Sequence, residues 1–124
     1  MPTQESNKFE RNALEFLNKK WKLKLERKTI QFNGATHSFD FVSSNKKYIG
    51  DAKYLAMRTS NKIPHAKLAA ISEYVWLLEK TNCDHKFLIF GNNKNVPLEW
   101  LRRFKTLTSV KFYFLKNNNF QKLN

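Results

Sequence analysis

The sequence predicts a single α/β domain with a small mixed sheet flanked by helices, and three observations predict it. The chain has 124 residues, 41% of them hydrophobic and 15% aromatic, which is enough for one real core. Apolar residues recur at helical spacing in some stretches and alternate in others. Those stretches interleave along the chain with no repeat or low-complexity run between them, so residues 1–124 read as one domain.

Over 6–20, Phe9, Ala13, Leu14, Phe16 and Leu17 recur at helical spacing, with Thr3 or Ser6 available as the N-cap. Leu23 and Leu25 alternate with Lys22, Lys24 and Glu26 as a strand that 30–32 extends, and Asn33-Gly34 is a turn signal. Two strands over 37–42 and 47–54 then form a hairpin around the polar set Ser43-Ser44-Asn45-Lys46. After a basic connection, Pro64 opens a second helix reaching about Lys80, with Leu68, Ile71, Val75 and Leu78 on one face. A short apolar strand follows over 86–90. Pro97 starts a third helix in which Trp100, Leu101 and Phe104 pack and Arg102 and Arg103 face outward. Val110, Phe112 and Phe114 alternate as a last strand, and the polar tail from Lys116 is expected to fray at its end. The predicted order is αβββαβαβ.

Charge narrows the function. Lys and Arg number 23 against 10 Asp and Glu, a net charge of +13, and a field of that sign attracts polyanions. Nucleic acid is the first partner to consider; a solubilising surface is the plainer alternative. No Lys-rich helix has the clean apolar face of an interfacial anchor, and no apolar run approaches the ~20 residues of a membrane span, so no membrane partner is expected. Cys83 is the only cysteine, which excludes an intramolecular disulfide, and the polar start at 1–11 carries no apolar signal region; a cytoplasmic protein is expected.

The chain holds three aspartates, and two of them, Asp40 and Asp51, fall inside the hairpin, where Asp has poor strand propensity. With a symmetric four-residue turn, Asp40 faces Ile49 and Asp51 is its diagonal neighbour on the same face. Alternation turns Lys53 the same way as Asp51 and sends Phe39 and Phe41 to the opposite face, into the core. Carboxylates converging without compensation repel and raise one pKa, so the pair calls for a cation, and oxygen ligands suit Mg²⁺ or Mn²⁺. Such an ion polarises a phosphate and activates water, while a neighbouring ammonium orients that water, a role open to Lys53.

Phe39-Asp40 followed by Asp51-Ala52-Lys53, in a hairpin behind one helix and ahead of a helix–strand pair, resembles the signature of the PD-(D/E)XK nucleases. The resemblance runs by order of elements from the first helix to the strand at Lys86, and departs at Phe39, where the family often has Pro. It implies a restriction-endonuclease-like αβββαβ core and a Mg²⁺- or Mn²⁺-dependent DNA endonuclease, restriction-like or junction-resolving, acting as a homodimer. It further implies that Asp40, Asp51 and the carbonyl of Ala52 are metal ligands and Lys53 the catalytic lysine. The family often adds a glutamate from the first helix. At about 100° per residue Glu10 shares the stripe of Ala13, Leu14, Leu17 and Trp21, whereas Glu15 lies opposite, so Glu10 is the one expected.

Arg58, Lys62, His65 and Lys67, ahead of and within the start of the second helix, are candidate phosphate contacts; a solvated helix end is the alternative. Other readings stay open. Asp40 could be an edge-strand aspartate and Asp51 an ion-pair partner of Lys53, while Glu10 could pair with a surface lysine. The fold could then serve as a non-catalytic nucleic-acid-binding module, or as a basic subunit of a larger defence or recombination complex. The last predicts an apolar patch, for which Phe112, Tyr113 and Phe114 are candidates. Cys83, His85, His37 and His65 lack the paired spacing of zinc modules.

Overall fold

The computed structural model describes residues 3–56 and 63–124. Among them, three α-helices flank a six-stranded sheet in which every strand lies beside its neighbours in sequence: β1 (Glu26–Phe32), β2 (Ala35–Val42), β3 (Tyr48–Tyr54), β4 (His85–Gly91), β5 (Lys111–Lys116) and β6 (Asn119–Lys122). The central pairs β3/β4 and β4/β5 are parallel, and β1/β2, β2/β3 and β5/β6 are antiparallel. The class is therefore α/β with a mixed open sheet. No helix among the described residues is long and apolar enough to cross a membrane.

Helix α1 (Gln4–Trp21) covers one face of the sheet; α2 (His65–Glu79) and α3 (Asn95–Phe104) cover the other. Strand β4 shows why both faces must be covered: Phe87 and Ile89 point to the α1 side, Leu88 and Phe90 to the α2/α3 side, and all four are buried. On the α1 side the indole of Trp21 meets Tyr48, Phe87, Tyr113 and Phe120 and closes that layer. Across the other layer Trp100 stacks on Phe112 and donates its Nε1–H to Ser72 Oγ at 2.8 Å, which ties α3 to α2. Phe112 and Phe114 are core residues of this layer, and Tyr113 is half-buried under Trp21, so these three leave no apolar patch.

Helix α1 begins where Thr3 Oγ1 accepts the Ser6 N–H at 3.0 Å. The expected strand at Leu23 and Leu25 does not form. The Asn18 side chain accepts the Leu25 N–H at 2.6 Å and donates to the Leu25 carbonyl at 3.3 Å, taking both groups a strand neighbour would use, and β1 starts at Glu26. Pro64 sits just outside α2 as its N-cap residue. Helix α3 starts two residues before Pro97, because Asn93 Oδ1 accepts the N–H groups of Asn95 and Val96.

The tail is ordered into β6 rather than frayed. Asn117 and Asn118 both take positive φ (51° and 64°), as do Asn33 and Gly34 between β1 and β2 (50° and 79°). This is the backbone of two-residue hairpins whose twist matches the flanking strands. Asn124 then pins the end by accepting the Phe112 N–H at 2.7 Å.

Candidate active site

The hairpin of β2 and β3 closes with Val42 opposite Ile49 and Phe41 opposite Gly50. Its turn lies one residue later than symmetry about Ser43–Lys46 predicts. Ser43 donates its N–H to the Tyr48 carbonyl at 3.0 Å, and its hydroxyl accepts the Tyr48 N–H. Continued past Gly50, this register sets Asp51 directly across from Asp40 instead of diagonal to it.

There the backbone ladder is taken over by the carboxylates. The Asp40 N–H donates to Asp51 Oδ1 at 2.8 Å, and the Ala52 N–H donates to Asp40 Oδ2 at 2.9 Å. Each aspartate thus occupies a strand position against its propensity by satisfying a backbone donor that the separating strands would leave unpaired. A β-bulge on the other edge of β2 contributes. Glu26 is opposite Val42 but Lys28 is opposite Phe39, so Arg27 alone stands against Asp40 and Phe41. The extra residue breaks the alternation. Phe39 packs on the α2/α3 side and Phe41 on the α1 side, correcting the expectation that both share one face.

Asp51 is 1% exposed, yet its Oδ2 has no hydrogen-bond partner. The nearest candidate, His37 Nε2, lies 3.7 Å away, beyond hydrogen-bond reach. Burial first, and then the neighbouring Asp40 charge, push the Asp51 carboxyl up to about 7. Helix α1 brings Glu10 to the other side of Asp40, and burial together with the Asp40 charge raises Glu10 as well. Three carboxyl groups thus stand in a row, Glu10–Asp40–Asp51, and Arg27 Nη1 reaches the first two at 3.4 and 3.2 Å. Phe9 fixes the start of that row. Its ring lies against Tyr54 and over Gly91, where any Cβ would come within 2.5 Å of it.

Lys53 shares the α2 side of β3 with Asp51, but it makes no ion pair there among the described residues. Its Nζ rests 3.2 Å from the centre of the Tyr74 ring on α2. His37 packs edge-on against Phe39, and burial, then the Lys53 charge, lower its pKa. Ala52 is half-buried on the α1 side, with its N–H committed to Asp40.

Of the residues expected from sequence, Glu10, Asp40, Asp51, Ala52 and Lys53 come together at the divided hairpin. His65 and Lys67 lie in the first turn of α2, His65 nine residues before Tyr74, or ~14 Å along the helix axis, and make no contact with the carboxylates. Arg58 and Lys62 lie outside the described residues. Arg102 and Arg103 are held by Glu99 at 2.8 and 2.7 Å on the far side of α3. Cys83 is half-buried and donates its thiol to the Lys47 carbonyl at 3.0 Å. Arg27, His37 and Tyr74 are the site's neighbours that sequence reasoning missed.

Among the described residues no group of three or more His, Cys, Asp or Glu side chains is placed to hold a metal ion. What stands there is two opposed aspartates with one oxygen unclaimed. Such a set suits a hard cation that keeps water and takes substrate oxygens as its other ligands. Comparison with protein families, with curated proteins and with solved structures returns no match.

Proposed function

We infer that the chain is a metal-dependent DNA endonuclease with a restriction-endonuclease-like core, hydrolysing phosphodiester bonds at the divided hairpin. One observation carries the reading: a carboxylate buried to 1% exposure keeps an oxygen without a partner, beside a second carboxylate. An orphaned buried oxygen costs about 1–3 kcal/mol, more if charged, and a cation is the group that would satisfy it. The element order from α1 to β4 and the net charge of +13 support the same reading.

Asp40 and Asp51 would hold Mg²⁺ or Mn²⁺, with Glu10 adding negative charge from α1 and the Ala52 carbonyl as a further oxygen. When bound, the ion supplies Lewis-acid charge at the phosphate and makes a water acidic enough to attack it. The chain's own residues do the rest. The N–H groups of Asp40 and Ala52 fix the two carboxylates, and the Tyr74 ring holds the Lys53 ammonium beside them without an anionic partner, free to donate to the attacking water or to a phosphate oxygen. One such site cuts one strand, so a homodimer is the proposed assembly for a duplex or a junction.

The test incubates supercoiled plasmid and a four-way junction with the protein in Mg²⁺, Mn²⁺ or chelator, beside Asp51→Asn and Lys53→Ala. Metal-dependent cutting lost in both variants is the expected result. Binding without cutting, unchanged in the variants, would replace this reading with that of a non-catalytic module.

A further inference from the structure

Arg27 reaches Glu10 and Asp40 in a manner unlike the arginines that pair with Glu99. A single nitrogen, Nη1, makes both contacts, at 3.4 Å to Glu10 and 3.2 Å to Asp40. Both are long for charge-assisted bonds, which run ~2.7–2.9 Å. Arg102, by contrast, grips Glu99 through Nε and Nη2, both at 2.8 Å. The Arg27 side chain is also 62% exposed, so little packing holds it in place. Its position is nonetheless set by the fold, because the bulge in β2 puts Arg27 alone opposite Asp40 and Phe41, at the mouth of the carboxylate row.

A cation that bridges two carboxylates with one nitrogen at long range, from an exposed stem, is easily displaced by a better one. A divalent ion on Asp40 would both neutralise the carboxylate charge that attracts Arg27 and repel the guanidinium. The released side chain would stay at the rim of the site, with its planar fork of donors facing solvent, and that fork matches phosphate geometry. We propose that Arg27 is a substrate-phosphate ligand of this site, parked on Glu10 and Asp40 until a divalent cation takes its place. Arg27 would then be free to take the backbone of the nucleic acid only when a divalent cation is bound, so the two binding events would be coupled.

This rests on the nuclease reading above, and its test does not depend on cutting. Mn²⁺ is titrated calorimetrically into wild type, Arg27→Ala and Arg27→Lys, each checked for an unchanged melting temperature. Binding of a fluorescent DNA duplex is then measured in Ca²⁺. Arg27→Ala is expected to bind Mn²⁺ about 2- to 5-fold more tightly, as removal of a displaced exposed ion pair implies. It should bind the duplex about 10-fold more weakly in the presence of the divalent ion. Arg27→Lys, which keeps the charge without the fork, should bind Mn²⁺ like wild type and lose part of the duplex affinity. An Mn²⁺ affinity of Arg27→Ala that is unchanged or weaker overturns the proposal, as does unchanged duplex binding; both leave the metal site standing. A wild-type protein that takes up no Mn²⁺ removes the metal site itself.

Discussion

Strands β4 and β2 belong to one sheet and are organised by opposite means. Strand β4 pairs with β3 from His85 to Gly91, and from Phe87 on its side chains are buried on both faces, so apolar packing and a continuous ladder hold it. Strand β2 meets β3 in register only at Phe41 and Val42; beyond them a bulge, two aspartate side chains and Arg27 stand where backbone bonds would be. The difference teaches where chemistry can be built. A rigid parallel centre fixes the position of β3, and the departure of β2 from it opens a place for charged groups on that fixed strand. Polar groups in strand positions are costly unless satisfied, and among the described residues Asp51 Oδ2 is the one buried side-chain atom left unsatisfied.

The largest effect expected from this contrast is at the divided end. Asp51→Asn removes the charge but not the volume, and should lower cutting by about 10³-fold with the fold intact, measured as plasmid nicking rate. Lys53→Ala should lower the rate by about 10²-fold while Mn²⁺ affinity measured by calorimetry is retained, because its ammonium rests on Tyr74 and not on the carboxylates. At the ordered end, Gly50 lies beside Phe87 of β4 with no room for a side chain. A Cβ there would lie 2.6 Å from both the ring and the carbonyl oxygen of Phe87, so Gly50→Ala should lose about 1–3 kcal/mol of stability in denaturant unfolding.

The last effect is a slope. Asp51 titrates at about 7 in the folded, metal-free chain, against about 3.9 when unfolded. Below pH 4 both states hold the proton. Between about pH 4 and pH 7 only the folded state does, so this group's contribution becomes less favourable as pH rises through that window and is fully unfavourable above it. Melting temperature measured from pH 4 to pH 8 without metal should fall less steeply in Asp51→Asn than in wild type, leaving the variant the more stable at pH 8.

Much of the ordered region was legible in the sequence, because β4 is a plain apolar run and α2 a plain apolar stripe. Asp40, Asp51 and Lys53 were legible for a different reason: Asp is out of place in a strand, and alternation puts Asp51 and Lys53 on one side. What stayed hidden depends on single residues without a compositional mark. A bulge adds one position to β2 and reverses Phe39 relative to Phe41. Asn18 cancels a strand by binding Leu25 through its side chain, and Asn117-Asn118 makes a hairpin as tight as the recognisable Asn33-Gly34. Arg27 is one of 23 basic residues, and only the register opposite Asp40 distinguishes it.

The central claim, that the unclaimed oxygen of Asp51 beside Asp40 is a cation site, is tested most directly by melting wild type and Asp51→Asn at pH 8 with and without Mn²⁺. Saturating Mn²⁺, at about 100 times its dissociation constant, should stabilise wild type by about 2.7 kcal/mol and raise its melting temperature by several degrees, with no shift in Asp51→Asn. A wild-type melting temperature unmoved by Mn²⁺, or an equal rise in both proteins, would contradict it.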